Sequence, residues 1–354
     1  MVYLIFIFFY VIAVTYQFQN RSFTTKKVFQ VLAFACVVLT FIAGFRDYSW
    51  PDTIAYVYTF EKEAKPIWEF SPDSRSIYFG EPGFFLLGFI VKTFTENTHI
   101  YLTFVSALTF LFLYYGIKKF SVLPLLGLVV YVARFFLGRN MAQIRAGLCY
   151  AIILFGLQYI QQRKLLKFLL VVFIAYQFHH SAIIALPVYF ICNYMKLHRI
   201  HIVLGLIAAF VVGIFFQDPI HAIIQDNASD LKVDNYVEGG TDSYIEGKGI
   251  SNPLIYFQCF FLLIYTFWEK RLAPLTKYYY VIRDGYFYST VILIVFCTYS
   301  VISGRTSTMF ATMEIAIIPS IICLFPPKQR LVPVVVLGLM LTAIFIMNYP
   351  RLTS

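Results

Sequence analysis

Twelve apolar runs, each near the length of one membrane crossing, fill most of this 354-residue chain. They lie near 2–18, 28–45, 99–116, 122–138, 141–160, 165–179, 181–195, 201–217, 253–268, 285–302, 306–325 and 331–348. A crossing takes about 20 residues, so twelve use about 240 and leave roughly 110 for every loop. No large soluble domain fits in that remainder. Composition agrees: 60% of residues are hydrophobic and 13% charged, against about 45–50% apolar and about 25% charged in soluble domains. The expected fold is an all-α polytopic membrane protein with about twelve transmembrane helices, a single integral domain over 1–354.

A further apolar piece, 84–94, is about half the length that a crossing needs and carries Gly88 and Lys92. Suppose it does not cross and the N-terminus starts outside. The inside loops then hold Arg21, Lys26, Lys27, Lys118, Lys119, Arg163, Lys164, Lys167, Lys196, Arg199, Lys270, Arg271, Lys277, Arg283, Lys328 and Arg330, with only Glu269 and Asp284 as acids. Forcing 84–94 across would carry all but three of those sixteen basic residues outside, against the positive-inside rule. The piece therefore reads as a re-entrant or interfacial helix, tolerated at membrane depth where protein buries it or it lines a cavity.

The formal net charge of +10 is thus a topology signal rather than a sign of nucleic-acid binding. The apolar N-terminus lacks a basic stretch and a small-residue cleavage site, so it reads as a retained first span. Cys36, Cys149, Cys192, Cys259, Cys297 and Cys323 all sit in apolar runs, with no zinc-like spacing, and read as small core residues. Two outer loops stand out by length, 46–82 and an acidic one at 218–252. The latter bears Asp218, Asp226, Asp230, Asp234, Glu238, Asp242 and Glu246 without EF-hand spacing, and reads as a solvated lid.

Charge at membrane depth costs at least about 2.5–3.5 kcal/mol, so each charged side chain there needs a partner, a water cavity or a ligand. Four clusters qualify, and the topology above puts all of them on the outer side. The first is Arg46, Asp47, Tyr48, Trp50, Asp52 and Tyr56, which could equally be an interfacial anchor. The second is Arg134, Arg139, Asn140, Gln143, Arg145 and Gly147. Here Arg139 and Gln143 are expected to share a helix face that Gly147 leaves open, and Arg145 to lie about 9 Å deeper. Snorkelling to the surface would suit Arg134 and Arg139 but not Arg145. The third is His179, His180 and Ser181, where imidazole could move protons near neutral pH. The fourth is Arg305, Thr308 and Thr312 on one helix face, with Glu314 beyond them and expected to pair with Arg145 or stay neutral.

Guanidinium groups grip diphosphate bidentately and stay charged at physiological pH, so arginines gathered at an outer membrane face suit a polyprenyl-diphosphate sugar. Cations would also stabilise the charge that develops as the diphosphate leaves, and an imidazole could serve the attacking hydroxyl.

At these residues the chain resembles the EpsG and Wzy type of bacterial polysaccharide (O-antigen) polymerases. The resemblance rests on Arg46, Asp52 and Tyr56, on Glu81-Pro82-Gly83-Phe84, on Arg139 with Arg145 and Gly147, on Phe178, His179, Ser181 and Ala182, and on Arg305 with Phe310. Trp50-Pro51 stands where the family often has Gly-Thr. The resemblance implies a GT-C-like, metal-independent, inverting glycosyltransferase without cofactors. It would polymerise undecaprenyl-diphosphate-linked repeat units at the periplasmic face of the bacterial inner membrane, with membrane lipid and a chain-length regulator protein as partners. It further implies Arg46, Arg139, Arg145 and Arg305 as diphosphate ligands and His179 as base or acceptor-orienting group. Glu81 and Asp52 are alternative bases, with Gln143, His180 and Tyr56 lining the cavity. A flippase for the same lipids would want arginines distributed through its depth. An O-antigen ligase would differ only in its acceptor.

Overall fold

The computed structural model describes residues 2–19, 26–71, 76–217 and 248–353, and among these it contains helices and no strand. The helices that matter for the site are α1 (Val2–Gln19), α2 (Lys26–Gly44), α3 (Thr53–Tyr58), α4 (Pro82–Lys92), α5 (Thr98–Phe120), α6 (Pro124–Tyr131), α7 (Ile144–Gln161), α8 (Leu165–Tyr176) and α9 (Leu186–Phe190). They continue as α10 (Arg199–Phe215), α11 (Pro253–Phe267), α12 (Tyr279–Val295), α13 (Ser300–Ala311), α14 (Glu314–Ile321) and α15 (Leu331–Thr353). Of the acidic loop expected at 218–252, residues 218–247 lie outside the described ones.

Local chemistry starts and stops these helices. Pro82, Pro124 and Pro253 occupy first turns, where the missing N–H costs nothing. Asn97 caps α5 by accepting from His99 N at 2.9 Å and Ile100 N at 3.3 Å, and Lys118 and Lys119 oppose the dipole at its far end.

Among the described residues, five helices are long and apolar enough to cross a membrane: Lys26–Gly44, Thr98–Phe120, Pro124–Ala142, Ile144–Gln161 and Leu331–Tyr349. The other expected crossings are shorter or broken. The run at 306–325 is split at Thr312 and Met313 into α13 and α14, and 181–195 passes from a tight turn through α9 into a wide one around Pro187. The helix expected at 285–302 starts earlier, at Tyr279, and draws in Arg283 and Asp284, which were expected in a loop. Both are buried; Arg283 Nε donates to Asp284 Oδ1 at 2.8 Å and Nη2 to the Leu197 carbonyl at 2.5 Å.

Helix α4 has 11 residues and therefore reaches about 16 Å, half of the roughly 30 Å hydrocarbon core. Its Phe84, Phe85, Leu87 and Phe89 are buried, as a half-length helix at membrane depth requires. His99 Nδ1, at the start of α5, lies 3.2 Å from the Gly44 carbonyl at the end of α2. Residues 45–98 thus leave and re-enter the bundle at one end, here called the site end.

The α6–α7 hairpin is the centre of the bundle. Buried residues make up 89% of an 18-residue stretch of Pro124–Ala142 and 78% in Ile144–Gln161, against 28% in Leu331–Tyr349. Around it, α5 packs on α2 and α7, α8 on α7, α14 on α6, and α15 on 132–142. Helix α1 closes the periphery through α6 and α15, with Phe6 stacked on Phe345 at 4.7 Å.

Beyond Tyr131, α6 widens into a π-helical stretch, Val132–Ala142, which ends where Gln143 N reaches back to the Gly138 carbonyl at 2.8 Å. Bonds of this i→i+5 kind stack residues five apart, whereas ordinary α winding would set them about 140° round the axis. Arg134 and Arg139 are five apart. Both reach the same segment of the α13–α14 chain.

Arg134 does not snorkel: Nε donates to Glu314 Oε2 at 2.7 Å and Nη2 to Oε1 at 3.3 Å, and Tyr286 O–H donates to Oε1 at 3.3 Å. Glu314, fully buried, thus pairs with Arg134 and not with Arg145. Glu314→Ala leaves that guanidinium buried without its counter-charge and should destabilise the bundle by about 3–5 kcal/mol. Arg134→Met with Glu314→Leu should recover most of the loss, both read from unfolding in detergent.

Candidate functional site

The site end gathers residues from five parts of the chain. Glu81, 95% buried at the start of α4, is its hinge. One oxygen, Oε2, accepts from Arg145 Nη1, and the other lies 4.0 Å from His180 Nδ1. Arg145 also lies with its guanidinium 3.9 Å over the Phe79 ring and hydrogen-bonds Tyr56. Tyr56 is buried, stacked on Phe79 at 5.0 Å. That burial pushes its hydroxyl up to about 12, partly offset by Arg145, so it remains an O–H donor at neutral pH.

Arg139 forms the second half. Nη1 donates to Thr312 Oγ1 at 2.7 Å, Nη2 donates to the Thr308 carbonyl, and the guanidinium lies 4.0 Å over Phe135 and 5.0 Å over Tyr150. Its Nε is buried without a hydrogen-bond partner. Tyr150 joins the halves, because the His179 ring meets it edge-on at 6.4 Å. Neighbouring Asn140 extends the cluster: its carbonyl accepts from Arg46 Nη1 at 3.1 Å and its Oδ1 from Tyr131 O–H at 2.7 Å.

Arg46 is 98% buried and holds Thr53 Oγ1 at 3.1 Å and the Ala43 carbonyl at 3.0 Å, while Nη2 has no partner. Burial lowers this guanidinium to about 10, which leaves it charged at neutral pH.

Expectation and geometry part at several residues. Gln143 does not share a helix face with Arg139; it is the exposed break between the π-helical stretch and α7. That break puts Arg145 in the first turn of α7 rather than deep in a span continuous with Arg139. Gly147 does not leave a face open either: a Cβ there would sit 2.5 Å from the Arg139 carbonyl, so the backbone of Arg139 fills the space. Asp52 is exposed, in the left-handed region at φ 60°, and makes no side-chain cap bond. Arg305 lies on α13 one turn before Thr308, with its side chain outside the described ones.

The histidines differ in presentation. His179 Nδ1 accepts from Ser181 N at 3.2 Å and lies 2.7 Å from Ser181 Oγ. A neutral ring whose Nδ1 accepts carries its proton on Nε2, so His179 offers a donor. His180 is more exposed, with its Nδ1 4.0 Å from Glu81 Oε1, within ion-pair range but beyond hydrogen-bond reach. Tyr150 and Phe79 were not singled out as site residues by sequence reasoning, since aromatics inside apolar runs carry no signal of their own.

These are the features of an all-helical membrane protein whose cations, carboxylate and histidines converge at one end of the bundle. The model of the EpsG family matches residues 29–352, and the chain belongs to that family. A relative is the amylovoran biosynthesis protein AmsC of Erwinia amylovora, 23% identical over 245 residues, which are 68% of this chain and 64% of that protein. The chain thus spans a little under two thirds of that relative's length. No solved structure matches.

Gly83 sets the distance between Glu81 and the histidine turn. A Cβ there would lie 2.6 Å from Gln177 Cβ and 2.8 Å from the Gln177 carbonyl, which also accepts from Phe84 N at 3.2 Å. Gly83→Ala should therefore push α4 off the turn and cost about 1–3 kcal/mol by overpacking. Differential scanning fluorimetry should show the loss, while a Gly138→Ala control, with open space around it, should not.

Proposed function

We propose that this protein is a membrane glycosyltransferase of polysaccharide biosynthesis that polymerises undecaprenyl-diphosphate-linked repeat units. The observation that carries the reading is the convergence of Arg139, Arg145, Glu81, His179 and His180 from separate helices. In this reading the site faces the periplasm across a bacterial inner membrane, 46–82 and 218–252 are outer loops of one integral domain, and chain length is set with a regulator protein. Family membership and the name of the amylovoran relative support it.

The transfer inverts the sugar without a metal. An acceptor hydroxyl on one lipid-linked unit attacks the anomeric carbon of the glycan on another. The new glycosidic C–O bond forms as the bond to the diphosphate oxygen breaks, and undecaprenyl diphosphate departs with the bonding electron pair. Arg139 and Arg145 meet the charge that grows on the leaving group, and Arg305 and Arg46 are further diphosphate ligands. Preorganised donors of this kind are worth about 10²–10³-fold each.

The hydroxyl proton passes to His180 Nε2, with Glu81 orienting that ring. His179 keeps its proton on Nε2 and donates it to align the acceptor. Asp52, exposed and without a side-chain cap bond, is a lesser candidate for base. Gln143 and Tyr56 border the reacting groups.

Purified protein given a lipid-linked repeat unit should lengthen the glycan in detergent, where no second compartment exists. A protein that only carries lipid across liposomes would overturn the reading. Arg139→Ala and Arg145→Ala should lower elongation by at least about 10²-fold, and the lysine variants should recover little because an ammonium lacks the fork. His180→Ala should lower kcat by about 10²–10⁴-fold, whereas His179→Ala should raise acceptor KM more than it lowers kcat.

A further inference from the structure

The outer stripe of α2 is not used by the transfer just described. Val31, Phe34, Ala35, Val38 and Ile42 recur at helical spacing and line an apolar groove of about 350 Å³, closed by Ile5, Phe8 and Phe9 of α1 and by Leu125, Leu128 and Val129 of α6. From Val31 to Ile42 the groove follows about 16 Å of helix, half of a bilayer's hydrocarbon. The helical bond from Phe45 N to the Phe41 carbonyl, at 2.9 Å, carries the same winding one turn further. Phe45 therefore continues the stripe, and Arg46 follows directly past the helix end.

At that point lies a second cavity, open and polar, of about 360 Å³, lined by Phe45, Arg46, Asp47, Tyr48 and His99. The His99 ring is stacked on Phe45 at 5.5 Å and on Tyr48 at 5.0 Å. Phe45 remains 63% exposed and Tyr48 36% exposed, so each retains ring surface for a ligand. Asp47 Oδ1 accepts from Ser49 N at 2.8 Å, which holds the carboxylate below its ordinary range and keeps it ionised. Aromatic faces beside one carboxylate and one guanidinium match a saccharide, whose C–H faces stack and whose hydroxyls need donors and acceptors. Arg46 belongs to the cup itself, and its buried Nη2 lacks an acceptor.

We infer that the groove, Arg46 and the Phe45–Tyr48–His99 cup together form a binding site for the acceptor substrate, a lipid-linked saccharide. Its hydrocarbon tail lies along α2, its diphosphate meets Arg46, and its sugars rest in the cup. The inference rests on the transfer proposed above. That reaction needs two lipid-linked molecules with different electrostatic needs. The donor loses its diphosphate and gains charge at the breaking bond, which suits the several arginines around Arg139 and Arg145. The acceptor keeps its diphosphate, so a single guanidinium suffices to position it. Asn140, bonded to Arg46 and adjacent to Arg139, holds the two sites side by side.

Photocrosslinking of the full-length protein in liposomes of phosphatidylglycerol and phosphatidylethanolamine tests this directly. A benzoylphenylalanine replacing Phe34, which is 66% exposed, should capture a lipid-linked repeat unit. The same group at Val37, exposed on α2 but outside the groove, should not. Capture of phospholipid alone at position 34 would overturn the inference.

Kinetics with donor and acceptor varied separately give the second arm. Ala35→Trp, which fills the groove, and Tyr48→Ala, which opens the cup, should each raise acceptor KM at least tenfold and leave donor KM unchanged. Equal effects on both constants, or none, would overturn the site while leaving the transferase reading intact. Capture of the repeat unit by the probe at position 34, together with no polymer from the unsubstituted protein, would instead overturn the transferase reading.

Discussion

The architecture depends on guanidinium groups that must be satisfied away from bulk water. A cation at membrane depth is tolerated only where an anion, a carbonyl or an aromatic face replaces its hydration. Arg134, Arg139, Arg145 and Arg46 solve this in four ways: a carboxylate on α14, a hydroxyl and a carbonyl on α13 and beyond it, a carboxylate on α4, and two carbonyls at the ends of α2 and 132–142. Each solution ties together chain segments far apart in sequence. The cations that suit the proposed chemistry are thus also what fixes the helices that carry it.

This double use explains why the polar residues are so economically arranged. Glu81 receives Arg145 with one oxygen and faces His180 with the other. A negative group between a permanent cation and a titratable ring keeps both oriented, and it lies on a half-length helix that can sit at depth because its apolar face is buried. Thr312 and the Thr308 carbonyl serve Arg139 because the chain between α13 and α14 is broken at that level. A continuous helix would spend the carbonyl on its own ladder.

Much of this was legible in the residues themselves. Apolar runs gave an all-helical membrane protein, the short run at 84–94 gave a helix too brief to cross, isolated charges in apolar surroundings pointed to Arg139 and Arg145, and the family resemblance pointed to Glu81. Pairing was not legible, for a physical reason. Ordinary helical periodicity puts Arg134 and Arg139 on different faces, and only the wide winding of 132–142 brings both to the 308–314 segment, so Glu314 was matched to the wrong partner. Gln143 misled similarly, since i to i+4 logic fails where a helix ends. Crossing lengths failed where Pro187 and the break at Thr312 interrupt apolar runs without altering their composition. Arg46 and its aromatic neighbours looked like an interfacial anchor because stacking on His99 requires α5 to return beside α2.

The wide winding of 132–142 makes this stretch sensitive to length rather than to identity. Many of its apolar side chains could be exchanged for others of similar volume, because packing tolerates such swaps. Inserting one residue between Arg134 and Arg139 is a different matter. It would turn every later side chain through roughly a quarter of the circumference, and separate two cations that now address one neighbour. Across relatives, the count of residues between these two positions should therefore be held more tightly than the letters that fill it.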